Sequence, residues 1–146
     1  MPTELGDEYS PHWRGKYPHM LPEDYPIWEK YISKHEHEFV RLYYNVRIGG
    51  VFPDDPNISP EMKKMWYSVN AKRIDVLAEK ENEVWIIEVT ARPGLRAVGQ
   101  LATYLVLWLE DPKPAKPAVT VLISETLDDD IKRTLPVYGM QAYTVG

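Results

Sequence analysis

The sequence contains no cysteine. That excludes disulfides and thiolate zinc sites, and it fits a reducing compartment. No stretch approaches the ~20 consecutive apolar residues of a membrane-spanning helix. The opening residues, Met1-Pro2-Thr3-Glu4-Leu5-Gly6-Asp7, hold no apolar run either, so a secretory leader is not expected. Positive charge is short: 17 Lys plus Arg stand against 22 Asp plus Glu, a formal charge of -5. A general attraction to nucleic acid is therefore not written into the composition, and any such contact must use a local basic patch. Phenylalanine is scarce, at 2 residues beside 5 Trp and 10 Tyr. Rings with a polar handle suit interfaces as well as cores. No internal repeat is visible, and the only biased block is the proline-rich linker from Asp111 to Pro117. At 146 residues the chain can bury one real core.

The most informative stretch is Lys72-Arg73-Ile74-Asp75-Val76-Leu77-Ala78, a polar turn at Lys80-Glu81-Asn82-Glu83, then Val84-Trp85-Ile86-Ile87-Glu88-Val89-Thr90. Two apolar runs around such a turn predict an antiparallel hairpin. A turn centred on Glu81 and Asn82 sets Leu77 opposite Ile86, Asp75 opposite Glu88 and Arg73 opposite Thr90. Cross-strand neighbours on one face lie about 5 Å apart, where like charges repel. Two carboxylates inside a Val/Ile/Leu/Trp ribbon therefore call for compensation. A divalent cation supplies it most simply, because hard cations take carboxylate oxygens. Retention of a proton by one acid is the next simplest answer. A third is pairing with an arginine.

The rest of the chain is read in order. Residues 1–24 have four prolines and Tyr9, Trp13, Tyr17 and Met20 but no period, which predicts an extended arm lying on its own domain or on a partner. Residues 25–146 read as a single domain. Residues 25–35 are helical, with Ile27, Trp28, Tyr31 and Ile32 on one face. Val40, Leu42, Tyr44, Val46 and Ile48 then alternate as one buried face of a long strand. A loop at 49–59, with Pro53, Asp54, Asp55, Pro56 and Asn57, leads to Ser59-Pro60-Glu61, a helix start with Ser as N-cap. That helix, to about Tyr67, is expected to bury Met62, Met65 and Trp66. After Arg92-Pro93-Gly94, residues 95–109 form a nearly all-apolar helix expected to be mostly buried. Its polar residues Arg96, Gln100 and Tyr104 fall at i, i+4, i+8 and make one stripe. A strand at 119–123 should lie parallel to the one bearing Glu88. A polar helix at 127–135, capped near Thr126, and a weaker strand at 137–145 close the chain. The result is an α/β (α+β) fold, a mixed sheet flanked by helices.

Asp75, then Glu88-Val89-Thr90 on the next strand, then Gln100-xxx-Tyr104 on the following helix, resembles the PD-(D/E)XK nuclease superfamily. The αβββαβ order of that family's core matches residues 25–124. The run from Arg73 through Gln100 also looks like small proteins of tailed bacteriophages. The resemblance implies Asp75 and Glu88 as ligands of Mg²⁺ or Mn²⁺, with a first-helix glutamate, here Glu29, as a further metal ligand. It implies phosphodiester hydrolysis assisted by the metal. The family's lysine, two residues after the Glu, is Thr90 here. Threonine carries no charge to set beside a phosphate. Arg73, opposite Thr90, is the substitute cation, although arginine is a poor proton acceptor.

Each feature has a plainer structural alternative. Gln100 and Tyr104 serve either the scissile strand or a helix–sheet interface. Arg92 and Arg96 serve either phosphates or the two acids. His35-Glu36-His37-Glu38 is a solvated junction rather than a metal motif, and His12 and His19 have no catalytic reading. Two functions follow. The first is a nuclease-fold protein with a degenerate site and a structural or binding role, such as a virion component, found in the host cytoplasm or the phage particle. The alternative is an active Mg²⁺/Mn²⁺-dependent DNA endonuclease. DNA would bind a local basic patch, a protein partner or second copy would bind through residues 1–24, and no membrane association is expected.

Overall fold

The computed structural model describes residues 3–50 and 55–146. Met1, Pro2 and the 51–54 part of the predicted loop, with Pro53 and Asp54, lie outside the described residues. The elements are β1 (Glu8–Tyr9), α1 (Tyr25–His35), β2 (Arg41–Ile48), α2 (Pro60–Asn70), β3 (Lys72–Glu79), β4 (Val84–Thr90), α3 (Leu95–Glu110), β5 (Ala118–Ser124), α4 (Asp129–Thr134) and β6 (Gln141–Thr144). They form a mixed α+β fold: one six-stranded sheet in the order β1-β2-β3-β4-β5-β6, flanked by helices. β1 to β4 are antiparallel neighbours, and β5 and β6 join in parallel. The predicted parallel crossover is thus present, with Glu88 set beside Leu122. Among the described residues no helix is long and apolar enough to cross a membrane.

The sheet is covered on both faces. One core gathers α1 (Ile27, Trp28, Tyr31, Ile32) against Leu42, Tyr44, Val76, Ile87 and Val121. The other gathers α3 (Ala97, Leu101, Tyr104, Trp108) against Val46, Ile48, Ile74, Leu77, Ile86 and Leu122. Burial on both sides explains why β4 reads as a continuous apolar run.

The single buried face expected for β2 is not what forms. Leu42 and Tyr44 point to the α1 core, whereas Val46 and Ile48 point to the α3 core. The alternation slips at Asn45, whose φ is +55°. Asparagine visits this left-handed region more readily than most residues. The partner strand slips at the matching place, since Ile74 and Leu77 both face α3 while Val76 faces α1. The residue between the paired positions Val76 and Ile74 is Asp75, and the ladder to β2 skips the pair Asn45 and Asp75.

Two helices are less covered than periodicity suggests. Ser59 Oγ accepts from Met62 N at 3.2 Å, so the predicted cap is real. Yet Met62, Met65 and Trp66 are 56%, 62% and 50% exposed, because no second layer reaches α2 among the described residues. On α3 only the stripe Ala97, Leu101, Tyr104 and Trp108 is buried, and Leu95, Val106 and Leu109 face outward. The last helix, Asp129–Thr134, is shorter than predicted and is capped by Asp128, whose carboxylate accepts from Asp130 N and Ile131 N. A 3₁₀ turn, Leu135–Tyr138, takes up the beginning of the expected last strand.

The N-terminal segment lies on its own domain. Glu4 and Arg47 exchange backbone hydrogen bonds at 2.9 and 3.0 Å. Glu8 and Tyr9 pair with Tyr43 and Leu42. Tyr9, Trp13 and Tyr17 pack their rings around Tyr44 at centroid distances of 5.1 to 5.9 Å. Tyr17 and Met20 are buried. His12 and Arg14 both meet Glu36 at 3.0 Å, so the His/Glu junction after α1 anchors this segment, with Arg14 and Glu36 as an ion pair.

Candidate functional site

β3 and β4 pair in the predicted register from Glu79↔Val84 to Val76↔Ile87, and there the ladder ends. The strands fork beyond that point, β3 staying with β2 and β4 with β5. Asp75 and Glu88 are the next residues on the two arms of the fork. The Asp75 carboxyl does two things. Its Oδ2 accepts from Val89 N at 3.0 Å, holding the fork together. Its charge also acts on the Glu88 carboxyl.

Glu88 is 8% exposed, and its Oε2 is buried with no hydrogen-bond partner among the described residues. Burial first, then the nearby carboxyl of Asp75, push its pKa up to about 10, so it holds a proton at neutral pH. Arg96 counters this in part through its charge, from the first turn of α3. Neither acid forms an ion pair with an arginine or lysine among the described residues.

A third acid that sequence reasoning missed joins the field. Asp24, 8% exposed, ends the short 3₁₀ turn Pro22–Asp24 before α1. Burial first, then the charge of Asp75, raise its pKa to about 6. Glu29, the acid expected from the first helix, lies elsewhere: it lines a shallow surface hollow with Lys30 and Ser33, and its charge acts on Tyr17. Helical periodicity offered Glu29 beside the apolar stripe but contained no sign that the preceding turn bends Asp24 inward. Among the described residues no three His, Asp or Glu side chains cluster tightly enough to grip a metal ion by themselves.

The α3 stripe comes together as predicted in spacing. Arg96, Gln100 and Tyr104 line one cleft of about 460 Å³ with Lys72, Gly99 and Thr103. Tyr104 is buried at its floor, and the charges of Glu88 and Asp75 raise its hydroxyl pKa further after burial has done most. Asp75 and Glu88 do not line the cleft themselves; their charge reaches it through Tyr104. Arg92 is exposed on the turn between β4 and α3. Thr90 is half-buried and paired with Ser124, whose Oγ is buried without a partner among the described residues. Arg73 is not carried to Thr90 by the ladder, which has already ended; it pairs with Arg47 across β2 and donates to Asn45 Oδ1 at 3.2 Å. A smaller hollow of about 190 Å³, between the N-terminal segment and β2, holds none of the predicted site residues.

No family model matches this chain, and no curated protein does. Two solved structures resemble it. A protein of unknown function, AF1548, has 16% identity and a TM-score of 0.46, with 80% of this chain and 55% of that chain covered. The small subunit of the heterodimeric restriction endonuclease R.BspD6I has 17% identity and a TM-score of 0.41, with 82% and 63% covered. The chain thus spans less than two thirds of the length of either protein.

Proposed function

We propose that this is a nuclease-type protein that binds a divalent cation at Asp75 and Glu88, binds a nucleic-acid backbone in the adjoining α3 cleft, and hydrolyses phosphodiesters weakly or not at all. The observation behind it is the buried Glu88 Oε2, without a partner among the described residues, near an Asp75 that, like Glu88, forms no ion pair with an arginine among them. Structural acids are normally satisfied.

The donor set suits a hard cation. Mg²⁺ is commonly held by one or two carboxylates and keeps several waters. Asp75 and Glu88 would hold it, and Asp24 would add negative potential from across the fork in the role expected of Glu29. Bound there, the ion would supply electrostatic stabilisation to phosphoryl oxygens. The chain's own residues do the rest. To serve as a ligand Glu88 would have to be in its deprotonated form. Arg96 and Lys72 offer positive charge to a phosphate along the cleft, and Gln100 and Tyr104 offer polar contacts. Thr90 can orient a water through its hydroxyl but brings no ammonium. That is the reason for weak cleavage.

The test is plasmid nicking with Mg²⁺ or Mn²⁺, alongside calorimetric titration of Mn²⁺. Expected are Mn²⁺ binding that Asp75→Ala abolishes, nicking near background, and a gain of tenfold or more in Thr90→Lys. Absence of metal binding overturns the proposal. Robust wild-type cutting abolished by Asp75→Ala would replace it with the active endonuclease, the reading that the open Glu88 oxygen also favours. The virion role now rests on the phage resemblance alone. Residues Glu4 to Met20, offered earlier to a partner, pack on their own sheet.

A further inference from the structure

We infer that this chain forms a reversible dimer, in which β6 of one copy pairs antiparallel with β6 of a second and one sheet runs through both. The inference uses none of the residues of the acid pair or the α3 cleft, so it stands or falls apart from the nuclease-type reading.

The six-stranded sheet has β1 at one side and β6 at the other. An open edge offers unpaired N–H and C=O groups to any further strand, and proteins usually blunt it. β1 is blunted: it is two residues long, Glu4, Asp7 and Glu8 set charge along it, and Pro11 follows. β6 is not. Residues 135–146 hold no charged side chain, although 27% of the chain is charged, and β6 itself holds no proline. The direction of its backbone is fixed by Val145 N, which donates to Ser124 O on β5 at 2.9 Å. Alternate residues of a strand turn their N–H and C=O to opposite sides. Gln141 and Tyr143 therefore face β5 as Val145 does, while Ala142 and Thr144 turn both groups outward. Among the described residues no strand lies beyond β6 to meet them.

The spacing of these groups fits an identical edge. Around a twofold axis at Tyr143, Ala142 lies opposite Thr144 of the second copy, and the two exchange both hydrogen bonds as such pairs do in an antiparallel ladder. A contact of this kind uses the same patch twice and closes on itself. The side chains agree with it on both faces. Tyr143 stacks on Trp85 at 5.7 Å, on the α1 side of the sheet. It would meet Tyr143 of the second copy at a non-hydrogen-bonded position, where side chains come closest and aromatic pairs are favourable. On the α3 side the 3₁₀ turn Leu135–Tyr138 touches β6 and leaves Val137 and Tyr138 exposed. The formal charge of -5 opposes association of two copies, and this uncharged edge is where they meet at least cost. β6 is only four residues long, and interfaces below about 1,200 Å² are typically transient, so monomer and dimer exchange.

Sedimentation equilibrium in EDTA, from low to high micromolar protein, tests the inference on wild type, Thr144→Pro, Tyr143→Cys and Gln141→Cys, each with its melting temperature. The wild-type mass should climb from 17.0 kDa toward twice that value with concentration. Proline at position 144 deletes an outward N–H and none of those that face β5. Thr144→Pro should therefore melt with wild type and dimerise at least tenfold more weakly. The chain has no cysteine, so each introduced thiol is alone in its copy. Under mild oxidation at high concentration Tyr143→Cys should cross-link, because directly opposed Cα atoms at a non-hydrogen-bonded position lie about 4.5 Å apart, within disulfide reach. Gln141→Cys, out of register with its own copy, should not. A wild type that stays monomeric at every concentration overturns the inference and leaves the edge to a strand of another protein. A dimer that Thr144→Pro leaves intact also overturns it, as does cross-linking equally fast at positions 141 and 143. Should Thr144→Pro fail to fold, the two cysteine variants decide alone.

Discussion

Replacing Glu88 by glutamine makes the sharpest test of the acid pair. Glutamine keeps the shape and removes the titration. A free glutamate titrates near 4.5, and in the folded protein Glu88 is pushed up to about 10 by burial and by Asp75. Between those values the folded chain holds a proton that the unfolded chain releases. Stability therefore falls as pH rises across that window, by about 1.4 kcal/mol per pH unit. At pH 7, some 2.5 pH units above the free value, the accumulated cost is about 3 kcal/mol; at pH 8.5 it is about 5 kcal/mol. Glu88→Gln should abolish this cost. The variant should match wild type near pH 4.5 apart from a constant packing difference, and exceed it by about 3 kcal/mol at pH 7, roughly a 10 °C rise in melting temperature for a chain of this size. Asp24, raised to about 6, adds its own loss of stability between about 3.8 and 6, but it is present in both proteins and largely drops out of the difference. Urea unfolding in EDTA at pH 4.5, 7 and 8.5, followed by tryptophan fluorescence, reads the effect. A stability gap that stays flat from pH 5 to 8.5 would refute a proton-holding Glu88 and the account of the pair built on it.

Three other outcomes are expected. At pH 8, Mn²⁺ at a hundredfold excess over its Kd should stabilise wild type by about 2.7 kcal/mol and leave Asp75→Ala unchanged; affinity should climb with pH because the ion displaces the Glu88 proton, and equal stabilisation of the variant would locate the ion elsewhere. Leu101→Ala, at a fully buried position, should cost about 2–5 kcal/mol in denaturant titration, whereas Met65→Ala and Trp66→Ala should stay within about 0.5 kcal/mol; a large loss at Trp66 would mean that α2 is covered in solution. Asn45→Ala should cost about 1–2 kcal/mol through its left-handed backbone, and Asn45→Gly much less; equal losses would assign the cost to the Arg73 hydrogen bond instead.

The hairpin register was legible because the polar turn fixed its centre and apolar residues filled both flanks. The parallel placement of β5 followed from chain direction and the length of α3. What escaped was geometry that no periodicity records. The spacing of Met62, Met65 and Trp66 says that one side of α2 is apolar, not that anything covers it. The regular alternation through β2 concealed the change of face at Asn45, for which an asparagine amid apolar positions was the one available hint. Asp24 lies 51 positions before Asp75 on a turn with no repeat of its own, so only the three-dimensional path of the chain brings it to the fork. The ladder's early end removed the pairing of Arg73 with Thr90, because Asp75 spends its carboxyl on Val89 rather than continuing the strand pair.

The first twenty or so residues behave less like an appendage than like a keystone. Thr3 is tied to Asp111 by two 2.7 Å hydrogen bonds, beyond the far end of α3, and Tyr9, Trp13 and Tyr17 roof over Tyr44 one position from the kink at Asn45. A chain started at residue 25 would bare a patch of aromatic rings, open the edge of β2, and discard Asp24 along with the turn that aims it. Trimming the protein to residues 25–146 would therefore remove an acid from the field of the Asp75–Glu88 pair, and would invite the exposed strand to find another sheet to join.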